Sequence, residues 1–188
     1  MPEEFRRQDT SVTYAPLIQF IREDFIIQFG PRVISLATKT NSYPGWQAFR
    51  GEMTWLLSQV RDSGFIAEGE RLGARYINFF ENDVFGQSAL GACVNGDRLD
   101  TNELSIATVM KRPPFVAPLS MANSAIVALA DRPKRGSVVD LDVWVGSLDF
   151  DLFSDGLEKF DEAHLYEKQI FFGLLTPEFT ASLNPVYE

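Results

Sequence analysis

The sequence predicts an α+β fold: an antiparallel meander sheet of about five to six strands, with two amphipathic helices covering one face. Three observations carry the prediction. Five strand-like runs follow one another between Arg71 and Gly146, separated by turn signals and with no helical stretch between them. The run from Val138 to Val145 alternates, with Val139, Leu141, Val143 and Val145 on one side and Val138, Asp140, Asp142 and Trp144 on the other. Two other stretches carry apolar residues at helical spacing, which supplies a cover for the apolar face of the sheet.

The elements follow in order. Residues 1–13 are polar and read as a flexible tail, and residues 14–188 as a single domain. Between Tyr14 and Phe29 the chain is apolar without a clear period, and Gly30-Pro31 interrupts it. RVISLATKT, from Arg32 to Thr40, is short and β-branched, which predicts a strand. Asn41 to Gly45 is a turn. Trp46, Phe49, Met53, Leu56, Leu57 and Val60 then fall on one helical face, closed by Asp62-Ser63-Gly64. RLGARYINFF, QSALGACV, ELSIATVM, SMANSAIVALA and SVVDLDVWVG are the five strand-like runs. Their breaks are Glu81-Asn82-Asp83, Asn95-Gly96-Asp97, Pro113-Pro114 and Asp131-Arg132-Pro133. A second helix starts near Ser154, with Leu157, Phe160, His164, Phe171 and Leu174 along one stripe and Ala163 and Ile170 beside it. Thr176-Pro177 opens a short last helix, with threonine as cap and proline at the first helical position.

Composition narrows the function classes. With 26 acidic residues against 17 basic, the net charge is −9. The densest basic stretch, Arg132, Lys134 and Arg135, reads as a turn rather than a stripe, so non-specific nucleic-acid binding is not expected. An anionic membrane surface would repel the chain. A single cysteine, Cys93, makes no internal disulfide, the N-terminus has no apolar signal segment, and no long apolar run spans a membrane. These features predict a cytoplasmic protein. Sixteen phenylalanines and three tryptophans predict a core rich in rings.

Few residues offer chemistry. His164 is the one histidine; a catalytic imidazole needs an orienting partner or a nucleophile, and the sequence names neither, so a partly buried helix histidine is the simpler reading. Asp140 and Asp142 share a strand face, with Asp149, Asp151 and Asp155 following and Glu158, Asp161 and Glu162 on the helix. Such acids can hold Mg²⁺ or Ca²⁺, but they lack calcium-loop spacing, and a solvated acidic face explains them. Arg75, beside Tyr76 and Asn78 on a strand with Gly73 inside it, either pairs with a neighbouring acid or meets an anionic ligand. Phosphate loops are absent and zinc sites are excluded by count, so no cofactor and no metal are expected.

RVISL, YPGWQAF, RLGARYINFF, VVDLDVW, HLYEKQIFFGLLTPEF and SLNPVY, taken in order, resemble a family of sporadically distributed bacterial and phage-associated proteins of unknown function. Members carry His-Glu where this chain has His164-Leu165, a departure that weakens an acid–base role for the pair. The resemblance implies a cytoplasmic α+β domain linked to mobile elements or phage defence, and it assigns no reaction.

The expectation is a non-enzymatic interaction protein: an inhibitor, specificity or assembly subunit with a protein partner, a homodimer, or both. Trp46, Trp55 or Trp144 would anchor the interface, and Arg75, Tyr76, Asn78, Trp144 and His164 are the candidate interaction or ligand residues. Two alternatives remain. One is a metal-dependent hydrolase using Asp140, Asp142, Asp149 or Asp151 with His164. The other is a sensor of a small anionic ligand, with Arg75 facing a pocket lined by Tyr76, Phe79, Phe80 and Trp144 between sheet and helices.

Overall fold

A computed structural model describes residues 13–39, 43–66, 68–91, 93–99, 103–129, 132–146 and 150–184. The chain divides into two compact units, Met1–Val60 and Arg61–Glu188. The tail expected at 1–13 falls almost wholly outside the described residues.

The first unit contains an antiparallel three-stranded sheet of β1 (Ile18–Arg22), β2 (Phe25–Gly30) and β3 (Val33–Thr38). Only β3 is predicted from the sequence. IQFIREDFIIQFG carries apolar residues on both strand faces, so it lacks the alternation that identifies a strand. Helix α1 (Trp46–Ser63) starts in this unit and buries Met53, Leu56 and Val60, three members of the predicted stripe. Phe49 meets Phe25 of β2 edge-on, with ring centroids 5.9 Å apart. Arg22 lies over the Trp55 ring, 3.9 Å from its centroid, and its Nε is 2.8 Å from Glu52 Oε1. That carboxylate oxygen is buried and receives no aligned hydrogen bond. Trp46 stacks on Phe49, so Trp46 and Trp55 are partly buried within the unit rather than exposed as interface anchors.

The second unit is built on a four-stranded antiparallel sheet in the order β4-β9-β8-β7. The strands are β4 (Arg71–Phe80), β7 (Ser105–Arg112), β8 (Phe115–Leu129) and β9 (Arg132–Gly146). The last three form the expected meander. The first strand does not join it in sequence order: β4 lies against β9, with Arg71 opposite Gly146 and Phe80 opposite Ser137. The fold is α+β with antiparallel sheets, as expected; the strands are divided between sheets of three and four and a hairpin of β5 (Cys93–Val94) and β6 (Asp97–Arg98), in place of one sheet of about five to six. The predicted strand QSALGACV is largely irregular. Phe85–Gln87 is a 3₁₀ turn, and Gln87 and Ala89 bond to the backbone where helix α2 ends instead of joining a sheet. Asn95 (φ 51°) and Gly96 (φ 90°) make the tight turn that Asn-Gly favours.

Helix α2 (Leu152–Leu174) contacts β4 and β9. Its cap is Asp151, not Ser154: the carboxylate accepts from Phe153 N at 2.7 Å and Ser154 N at 2.9 Å. These bonds hold its pKa below the ordinary carboxylate range. Helix α3 (Pro177–Ser182) has the predicted cap, with Thr176 Oγ1 accepting from Phe179 N at 3.2 Å. The core lies between α2 and one face of the sheet, around Met121, Val139, Leu141, Val143 and Ala163. Of the two helices expected over one sheet, α2 covers the four-stranded one, and α1 packs on β2 of the three-stranded one.

Candidate functional site

Period-two alternation sorts the chemistry of the four-stranded sheet onto two faces. On β9, Ser137, Val139, Leu141, Val143 and Val145 are buried beneath α2, and Asp140, Asp142 and Trp144 point the other way. Strand β4 follows in register. Leu72, Tyr76 and Phe80 share the helix face, and Arg71, Gly73, Arg75 and Phe79 share the outer face.

The outer face carries a cross-strand ladder of charge pairs. Arg75 grips Asp140 with both ends of its fork, Nε to Oδ1 at 2.8 Å and Nη2 to Oδ2 at 2.6 Å. The Asp140 hydrogen bond raises the Arg75 pKa further. Arg71 reaches farther, bonding Asp142 four residues from its register partner Gly146, and lies over the Trp144 ring, 5.0 Å from its centroid. Gly73 makes room for that tryptophan. A Cβ on Gly73 would come within 2.8 Å of Trp144 Cβ and 3.1 Å of Val143 O. The glycine therefore serves close approach, as its place in the strand predicts, and without a bulge. Beside the ladder a shallow groove of about 450 Å³ runs past Arg75, Ala107, Val109, Pro118, Ser120 and Asp140. Val109 in its lining stands exposed, and so does Ile77, the register partner of Asp140 on β4.

The helix face holds a different set. Tyr76 Oη and His164 Nδ1 are hydrogen-bonded at 2.8 Å. Burial lowers the His164 pKa to about 4, with Lys168 adding to the effect and Asp161 opposing it, so the ring is neutral at pH 7. One turn on, Glu167 is 4% exposed in the middle of the α2 stripe, between Ala163 and Ile170. Burial raises its pKa to about 7, against a small opposing effect of Lys168. Sequence reasoning passes over Glu167 as one more charge on an acidic helix. The signal that finds it is its position four residues after Ala163 and three before Ile170, on the line that must face the sheet.

The candidate residues are thus divided. Arg75 and Trp144 are outside; Tyr76, Asn78 and His164 lie toward the helix. The expected ligand pocket does not form as one set, because Tyr76 and Phe80 face α2 while Arg75, Phe79 and Trp144 face away. Asp140 and Asp142 are separated from His164 by the sheet itself. Asp151 is occupied as a helix cap, and Asp149 lies outside the described residues. Among the described residues, no three His, Cys, Asp or Glu side chains gather where they could hold a metal ion. No helix among them is long and apolar enough to cross a membrane. Cys93 is exposed on β5 of the β5–β6 hairpin.

A third feature is a two-stranded arm. Beyond a bulge between Ala122 and Ala125, five residue pairs from Ala125↔Gly136 to Leu129↔Arg132 continue β8 and β9 with no flanking strand among the described residues. The arm's length is about 16 Å. Its root is tied down. Ser137, 1% exposed, lies with its Oγ 3.1 Å from Val84 N, 2.6 Å from Asn82 O and 2.6 Å from Asn123 Oδ1. Asn123 in turn bonds Asp83, which also accepts from Phe85 N at 2.9 Å. The basic stretch expected as a turn lies on this arm, with Arg132, Lys134 and Arg135 all exposed on β9.

No family model, curated protein or solved structure matches the chain.

Proposed function

We propose that this chain is an interaction protein, one that works by binding another protein chain as an inhibitor, specificity or assembly subunit. One observation carries the reading: the groups able to do chemistry are held on opposite faces of one sheet. The ladder Arg71–Asp142 and Arg75–Asp140 uses its charges on each other, and the His164 imidazole is tied to Tyr76 on the far side. General acid–base or metal-assisted reactions need such groups within hydrogen-bond reach of one reacting atom. A sheet face that mixes paired charges, a tryptophan and exposed Ile77 and Val109 has the composition of a contact surface. The link to mobile elements or phage defence rests on the sequence resemblance, and a cytoplasmic site of action on the lone cysteine and the polar N-terminus as well; both belong to the same proposal.

The test joins two measurements. Affinity capture from the native host, with the native chain and with an Ile77→Asp/Val109→Asp variant of unchanged melting temperature, should return a protein that the variant loses. A thermal-shift series with Mg²⁺, Mn²⁺ and Ca²⁺ should leave the melting temperature in place, because only an ion bound to the native state raises it. Equal capture by both chains, or a rise with one of the ions, overturns the reading.

A further inference from the structure

The acidic character of this protein has a local exception in the arm. Arg22, Arg61, Arg71 and Arg75 each lie against a carboxylate, and Arg112 donates to Gln169 at 2.7 Å. Arg132 and Arg135 do neither, and among the described residues no ion pair or hydrogen bond engages their side chains. Arg135 is the cross-strand partner of Ile126, which is 73% exposed, so cation and apolar group share one face of the arm. A rooted ribbon that presents a free guanidinium beside a bare isoleucine matches a surface that places an unpaired acid beside a bare aliphatic group.

The same chain presents such a surface. On α2 the residues opposite the buried stripe of Gly156, Ala163 and Glu167 are Glu158, Glu162 and Leu165, spaced four and three apart. Leu165 is 56% exposed, and the Glu158 side chain makes no ion pair or hydrogen bond among the described residues. Glu162 is held by Lys159 at 2.9 Å, which leaves the Glu158 charge as the unmatched one. The Glu158 end of this surface stands away from the arm's root in its own chain. Phe80, which faces Ser137 at the arm's root, stacks on Phe171, so the root adjoins the C-terminal half of α2. Glu158 lies thirteen residues back along the helix, a distance of about 20 Å.

We propose that the arm is a self-association device. The Ile126/Arg135 face of one copy lies along the Glu158/Glu162/Leu165 face of α2 in a second copy, and a two-fold axis makes the contact reciprocal. The partner of opposite charge is the protein's own helix, which explains how a chain of net charge −9 associates with itself. At physiological salt, repulsion between the two bodies is screened beyond about 8 Å, and the local pairs act inside that range. The proposal rests on the reading that the chain is an interaction protein, and it names a first partner.

Sedimentation of the full chain across the micromolar range should show a dimer whose dissociation constant rises with salt. Arg135→Glu should raise that constant by about tenfold or more, and so should the double variant Glu158→Lys/Glu162→Lys. Each variant should keep the circular dichroism spectrum of the native chain, and its melting temperature should match that of the native chain diluted to the monomer. Mixed, the two variants should form a heterodimer, because each reversed arm then meets a reversed helix. A native chain that stays monomeric, a dimer indifferent to Arg135→Glu, or a mixture that stays monomeric overturns the device. If the monomer still captures a host protein through the Ile77/Val109 face, the wider reading stands and the arm alone is refuted.

Discussion

Gly73 and Trp144 face each other across β4 and β9, and a Cβ on the glycine would sit 2.8 Å from the tryptophan Cβ. Neither backbone can yield, since both strands are paired throughout this stretch. Gly73→Ala should therefore cost about 1–3 kcal/mol of stability through overpacking. Urea denaturation measures it. In a chain that also carries Trp144→Gly the combined loss should be smaller than the sum of the two, because the clash is gone. Strict additivity would mean the tryptophan is not what the glycine accommodates.

The Arg75–Asp140 pair should be worth little to the fold despite its geometry. Its arginine side chain is 57% exposed, and exposed pairs contribute roughly 0.2–1 kcal/mol. A double-mutant cycle with Arg75→Ala and Asp140→Ala should give a coupling inside that range, shrinking as salt is added. A variant that unfolds would show instead that the outer ladder is structural.

The two buried titratable groups on α2 pull stability in opposite directions with pH. The folded pKa of His164, about 4 against an ordinary 6.5, lets the unfolded chain bind its proton first as pH falls, so stability drops on acidification between those values. The folded pKa of Glu167, about 7 against an ordinary 4.5, lets the unfolded chain release its proton first as pH rises, so stability drops on alkalinisation between those values. Where the windows overlap, the two slopes offset one another. Glu167→Gln should unmask a stability that climbs with pH between 4 and 6.5. His164→Gln should unmask one that declines with pH between 4.5 and 7. Chemical denaturation across this range checks both signs.

Ser137→Ala tests the root of the arm. The substitution leaves the amide of Val84, a residue 0% exposed, without its acceptor, and removes the bridge to Asn123. A cost of about 1–3 kcal/mol is expected. Faster amide exchange at residues 125–129 and 132–136 than in the core of the sheet should accompany it.

Much of the frame is legible in the sequence, for reasons that belong to particular residues. The bounds of β4, 71 to 80, coincide with RLGARYINFF because its neighbours on both sides are polar or turn-forming. The α1 stripe and the Thr176-Pro177 cap are local signals, and both hold. Strand β8 is read too short, from Ser120 on, because Pro113, Pro114 and Pro118 resemble breaks. Pro118 is nonetheless tolerated inside the strand, opposite Val109, where the ladder to β9 passes from Val116↔Trp144 to Leu119↔Leu141. The partition of the candidate site is less legible. Arg75 and Tyr76 are neighbours in sequence and opposites in space, and only the period of two, applied to both at once, separates them. The pairing of β4 with β9 is not written locally at all. It joins residues 57 to 75 positions apart, and their complementarity, glycine to tryptophan and arginine to aspartate, emerges only when the strands are laid side by side.

Strand β9 sends carboxylates one way and aliphatic groups the other with a strict step of two, which makes the length of this stretch as constrained as its chemistry. Deleting a single residue between Val139 and Trp144 would rotate everything downstream by half a turn, thrusting acid against α2 and valine into water. Length variants of this protein should accordingly survive in the β5–β6 region and at the tip of the arm, and nowhere along that central strand.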